Sequence, residues 1–182
     1  ELLGTDSSDA SRNRRIALVG LRGAGKSTLG QMLADDLDMP FIELSREIEK
    51  FAGCSIREIH DLYGTNAYRR YERRALEEAV QIYQDVVIAT PGGIVSDPAT
   101  FNQLLAHCTT IWLQADPEEH MQRVAAQGDM RPMSASKEAM DDLKGILAGR
   151  AAFYSQAEFQ LDTSADGLEP TFRALRSLVR EA

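Results

Sequence analysis

Residues 20–28 read GLRGAGKST. They fit the phosphate-binding pattern G-x-x-x-x-G-K-[ST], and their flanks give the pattern its meaning. Ile16–Val19 is a short continuous apolar run, as a buried parallel strand requires. After the loop, Leu29, Met32, Leu33 and Leu37 recur at helical spacing, which predicts a helix over Ser27–Leu37. Gly20, Gly23 and Gly25 let the backbone approach an anion, so that successive amides can point inward. The helix that follows sets its positive end at the same place. Lys26 supplies a full charge for the outer phosphates, and Ser27 can hold Mg²⁺. The expected phosphate cradle is Gly20, Arg22, Gly23, Ala24, Gly25, Lys26, Ser27 and Thr28. Such a loop binds ADP-containing ligands whether or not phosphoryl transfer follows.

Working outward, Phe41–Leu44 predicts a second strand, followed by helical segments at Glu47–Phe51, Ile56–Tyr63 and about Asn66–Tyr83. DVVIA (85–89) is a third buried strand ending in TPGG (90–93), and TIWL (110–113) is a fourth. Helices are expected at Phe101–Ala106, Pro117–Ala126, Lys137–Ala157 and Leu168–Ala182, with a fifth strand at Phe159–Asp162. GDMRPMSAS has no periodicity and reads as a mobile loop. Strands alternating with helices predict an α/β fold, a five-stranded parallel sheet with helices on both faces.

Bulk properties bound the function. The 182 residues suffice for one domain with a core, and 43% of them are hydrophobic. A net charge of −8 argues against this piece gripping nucleic acid by itself. No apolar run reaches membrane-spanning length and no secretory signal is visible, so a cytoplasmic protein without membrane partners is expected. Cys54 and Cys108 lack metal spacing and read as reduced thiols. Residues 1–13 are polar and rich in Ser and Asp; they read as a linker arriving from an upstream domain, with the ligand-binding domain spanning 14–182.

Three arginines fall in separate segments near the expected site loops: Arg69, Arg131 and Arg150. Their convergence on one pocket would suit an anion, since the guanidinium fork matches carboxylate and phosphate. Arg70, Arg73 and Arg74 read instead as a solvated helix face shared with Glu72, Glu77 and Glu78. Gly92 and Gly93 end a buried strand, where ligands of open parallel sheets sit.

Together these stretches resemble the shikimate kinase family, which has a nucleoside-monophosphate-kinase-like P-loop fold with a mobile lid. The resemblance rests on the P-loop, FIELS (41–45), GTNAYR (64–69), PGG (91–93), RPM (131–133), RAAFY (150–154) and LDTSADGLEP (161–170). It implies that Arg69 and Arg150 grip a substrate carboxylate, that Arg131 reaches nucleotide phosphates from the lid, and that Glu43 and Ser27 hold Mg²⁺. It also exposes departures. Ser45 stands where the family has an aspartate that holds shikimate hydroxyls, Thr65 replaces a glutamate, and Pro91 replaces the first glycine of G-G-G. Serine is no general base near neutral pH.

These departures, with GLRGAGKSTLG, YGTNAYRRYERRALEEA and ATPGG, also resemble the C-terminal effector domain of benzoyl-CoA-responsive transcriptional repressors. That resemblance implies a regulator of aromatic catabolism that binds DNA through an absent helix-turn-helix domain, acts as a homodimer, and takes an acyl-CoA inducer. The CoA phosphates would meet the P-loop. The benzoyl ring would lie near Tyr68, Ser45, Gly92 and Phe153 or Tyr154. On that reading the chain is not an efficient kinase, though residual ATPase or shikimate kinase activity with ATP and Mg²⁺ stays open. The other reading is an ATP-dependent shikimate kinase, with Lys26 catalytic. A third is a nucleotide-binding interaction module.

Overall fold

A computed structural model describes residues 15–21, 24–115, 133–163 and 167–181. The expected linker, Arg22 and Gly23 of the phosphate loop, the helix expected at Pro117–Ala126 and Arg131 lie outside the described residues. Along the rest of the chain run β1 (Arg15–Val19), α1 (Lys26–Leu37), β2 (Phe41–Glu43), α2 (Leu44–Ala52), α3 (Ile56–Tyr63) and α4 (Thr65–Ile82). Then come β3 (Val86–Ala89), a 3₁₀ turn (Gly92–Ser96), α5 (Pro98–His107), β4 (Thr109–Gln114), α6 (Met133–Tyr154), β5 (Phe159–Asp162) and α7 (Leu168–Glu181).

All strand pairs are parallel, in the order β2-β3-β1-β4-β5. The expected five-stranded parallel sheet is therefore present. Its interior strands carry continuous apolar runs (16–19, 86–89 and 111–113) because both faces are covered. Ile16 and Leu18 of β1, Val87 of β3, and Ile111 and Leu113 of β4 face a core built with Leu29 and Leu33 of α1 and Leu175 of α7. Ala17, Val19, Val86, Ile88 and Trp112 face the opposite core with Leu44, Ile48, Leu76, Phe101 and Tyr154. The period-two alternation of strands thus feeds two cores. Leu18 and Leu33 are each fully buried, which stabilises by roughly 1.5–3 kcal/mol per side chain.

Register decides where the site forms. Ala89 pairs with both Leu18 and Glu43, so the carboxyl ends of β1, β2 and β3 finish level with one another. Two glycines permit the loop after β1. Gly20 has φ +144°, and a Cβ there would lie 2.5 Å from the carbonyl oxygen of Leu113. Gly25, at φ +100°, caps α1.

Some boundaries differ from expectation. The second strand stops at Glu43 and helix follows at once, because Leu44 and Ile48 form a buried i,i+4 pair facing the core. Ser45 is consequently in the first turn of α2. The aperiodic GDMRPMSAS stretch gives way to helix at Met133, and that helix stops at Tyr154. Between α3 and α4, Gly64 at φ +88° turns the chain, and Ser55 with Glu58 closes a capping box at the start of α3.

Candidate active site

A cavity of about 930 Å³ opens beyond the carboxyl ends of β1–β3. Ala24, Gly25, Lys26, Ser27 and Thr28 line one side, Glu43 and Ser45 another, and Thr90, Pro91 and Gly92 close it. The sequence places most of these residues at the site, as a switch point in an open parallel sheet demands. Thr163, Gly167, Leu168 and Thr171 also line it. The first three fall within the LDTSADGLEP stretch; Thr171 and Thr90 carried no signal of their own.

Lys26 is only 8% exposed. Its Nζ donates to the carbonyls of Gly20 at 2.6 Å and Leu21 at 2.8 Å. Burial, with Arg150 adding to it, lowers this ammonium from 10.5 to about 7. A cation held dry among carbonyl dipoles is poised for anionic oxygens, which would restore its charge. The Ser27 hydroxyl donates to Oε1 of Glu43, while the Arg46 Nε contacts Oε2 of the same carboxylate at 3.1 Å. A hydroxyl and one carboxylate suit Mg²⁺, which keeps several waters and takes phosphate oxygens as its other ligands. Among the described residues no cluster of three or more His, Cys, Asp or Glu could hold a metal without such a substrate.

The arginine convergence expected from sequence is half visible. A Cβ at Gly93 would lie 3.5 Å from a terminal nitrogen of Arg150 and 3.9 Å from one of Arg69. Arg150 is carried there because α6 packs on the 3₁₀ turn and the Tyr154 hydroxyl donates to Gly92 O at 2.6 Å. Arg69 is aimed by two acceptors: its Nη1 donates to Gly93 O at 3.0 Å and to Glu72 Oε1 at 3.2 Å.

Glu72 corrects the sequence reading. It is 0% exposed, not part of a solvated face, because α2 and α3 pack over that side of α4. Tyr68 donates to its other oxygen at 3.1 Å. Burial pushes the Glu72 carboxyl up, with Arg69 and Tyr68 pulling it back. Arg73 likewise pairs with Asp97 at 3.0 Å. The i,i+3 and i,i+4 spacing to Arg69 and Tyr68 was the available signal.

Of the residues expected around a benzoyl ring, Ser45 and Gly92 line the cavity but the aromatic ones do not. Tyr68 is 6% exposed, stacked by His60 at a 4.6 Å centroid distance, and does not line the cavity. Tyr154 is fully buried against Trp112, and Phe153 is 41% exposed outside the cavity. Pro91 fits its turn, at φ −62° and ψ 145°, with its carbonyl accepting from Ile94 N at 3.1 Å; only its N–H is lost.

A glycine-rich phosphate loop beside a carboxylate, at the open end of a five-stranded parallel sheet, defines a nucleoside-monophosphate-kinase-like P-loop fold. The profile described as Shikimate kinase matches residues 22–177, and the chain belongs to the shikimate kinase family. It is 37% identical to the shikimate kinase of Synechococcus sp. (strain RCC307) over 84% of this chain and 77% of that protein. With the shikimate kinase of Zymomonas mobilis subsp. mobilis it shares 36% identity over 89% and 91% of the two chains. The structure of the Acinetobacter baumannii shikimate kinase, in complex with shikimate, superposes with a TM-score of 0.81 at 26% identity, covering 96% and 97%.

These relatives overturn the effector-domain reading. Proteins matched over most of their length are shikimate kinases, so the regulator function, the repressor and DNA-binding roles, the acyl-CoA partner and the homodimer inferred with them are withdrawn. Ser45, Thr65 and Pro91 depart from the family, yet Lys26, Ser27 and Glu43 line the cavity and Arg69 and Arg150 meet at Gly93. Benzoyl-CoA has no support here. ATP and Mg²⁺ accord with the family. Among the described residues no helix is long and apolar enough to cross a membrane.

Proposed function

We propose that the chain transfers the terminal phosphoryl group of ATP to a hydroxyl of a small carboxylate-bearing substrate, with shikimate as the first candidate. The observation that carries this reading is the meeting of Arg69 and Arg150 at Gly93, beside the cavity lined by the phosphate loop. A carboxylate held there leaves the rest of a small ring facing Ser45, Glu43 and the loop.

In this reading the amides of Gly20–Gly25 and the Lys26 ammonium bind the phosphates, Ser27 and Glu43 hold Mg²⁺, and Thr28 closes the cradle. Arg22 and Arg131 would add charge. Mg²⁺, when bound, neutralises charge developing between the outer phosphates. Arg69 and Arg150 orient the acceptor, and Gly92 and Gly93 give it close backbone approach. The acceptor oxygen forms the new bond to phosphorus as the bond to the bridging oxygen breaks, ADP leaves, and the acceptor's proton passes to solvent water.

Ser45 cannot take the acceptor's proton. The transition state is loose and positioning carries most of the rate, so a missing base slows the reaction by about 10²–10⁴-fold without abolishing it. A coupled ADP-release assay with ATP, Mg²⁺ and shikimate tests the reading. Turnover that disappears in Lys26→Ala is expected. Normal ADP binding with no shikimate-dependent turnover would overturn it.

A further inference from the structure

A second cleft, of about 620 Å³, lies at the start of α4 and is lined by Thr65, Asn66, Arg69, Arg70, Arg73 and Asp97, among others. It shares no lining residue with the larger cavity. We propose that this cleft is a second anion site, which takes a phosphate-sized oxyanion between Arg70, Arg73 and the amino end of α4.

Three guanidinium groups line one concavity in a protein whose net charge is −8. Asp97 neutralises Arg73 only through one terminal nitrogen, at 3.0 Å. The Arg73 Nε is closed to solvent, so an oxyanion in the cleft would meet the terminal nitrogens of Arg73, one of which donates to Asp97. Arg70 is exposed and forms no ion pair among the described residues. Gly64 offers α4 no side-chain cap, so the amides of Thr65 and Asn66 add unsatisfied donors at the same place.

The pieces fit an oxyanion better than a structural role. A purely structural cluster of three arginines would bring matching carboxylates. Here Glu72 is committed to Arg69 and Tyr68, and Asp97 also accepts from Thr100 and the Ala99 amide. The shared chemistry is a phosphoryl or carboxylate group, either free or borne by a larger substrate. Because Arg69 lines this cleft and also donates to Gly93 O, an anion here is coupled to the acceptor end of the larger cavity.

The test is calorimetric titration of inorganic phosphate into protein already saturated with a non-hydrolysable ATP analogue, whose three phosphates fill the loop. Binding of the analogue is measured first in the same cell, so a failure of the nucleotide reading registers separately. One saturable site is expected, weakened about tenfold in Arg70→Ala, the loss of one charge-assisted hydrogen bond. Arg73→Lys, which keeps the pair with Asp97, should weaken it as well. No saturable binding, or unchanged affinity in the folded Arg70→Ala protein, would overturn the site. Repeating the titration with shikimate present separates the sources. Retained affinity marks a site apart from the acceptor; competition would put the phosphate at the Arg69 end of the acceptor site and overturn the second site.

Discussion

Tyr154 donates its hydroxyl to the carbonyl of Gly92 at 2.6 Å, and this one bond ties the helix that carries Arg150 to the turn that ends β3. Tyr154 has no exposure, and its ring rests 5.5 Å from that of Trp112 in β4. The bond therefore holds Arg150 beside the Gly92–Gly93 backbone.

Tyr154→Phe keeps the ring packing and removes the bond. The Gly92 carbonyl loses its partner, and stability should fall by about 1–3 kcal/mol. With the turn loosened, KM for the carboxylate substrate should rise more than kcat falls. Urea denaturation and steady-state kinetics read the two effects separately.

Lys26 gives a pH signature. Its ammonium sits at about 7 in the ligand-free protein, against 10.5 normally. Phosphates favour the charged form, so nucleotide affinity is flat below pH 7 and falls as pH rises above it. Ligand-free stability runs the opposite way. Between about 7 and 10.5 the unfolded chain holds the extra proton, so stability rises with pH across that window. Calorimetry of ADP binding near pH ~8, in buffers of different ionisation enthalpy, should show proton uptake. A buffer-independent enthalpy would refute it.

Glu72→Ala strands Arg69 without its carboxylate and leaves the Tyr68 hydroxyl unpaired. A broken buried pair costs about 3–5 kcal/mol, so this variant should unfold at markedly lower denaturant. Glu72→Gln, which keeps one acceptor oxygen for Arg69 and turns an amide N–H toward the Tyr68 hydroxyl oxygen, should recover part of that loss. Equal stability of the two variants would contradict the pairing.

Ser45→Asp restores a carboxylate to the wall of the cavity. If shikimate is the acceptor, kcat should rise by about 10²-fold or more, with little change in ADP affinity. Unchanged turnover would move the deficit to Thr65 and Pro91.

Much of the fold was legible because interior parallel strands are apolar on both faces and stand out as continuous runs. Boundaries were less so. FIELS reads as strand through Leu44, and only the packing of Leu44 with Ile48 turns it to helix at that point. Glu72 was misread because a helix surface rich in both charges looks the same whether water or another helix covers it. α2 and α3, which bury Glu72, belong to separate stretches of chain.

By itself the sequence determined the phosphate loop, since GLRGAGKST acts through its own backbone and the helix it opens, contacts that are local in the chain. It also carried the family's sheet and most site residues. What it left undecided was the balance between lost and surviving groups, which turned the reading toward an effector domain. Only the tertiary structure brings Ser27 to Glu43, sixteen residues on, and Arg69 to Arg150 across Gly93. Those meetings depend on strand order and register, which pair residues distant in sequence and leave no local mark.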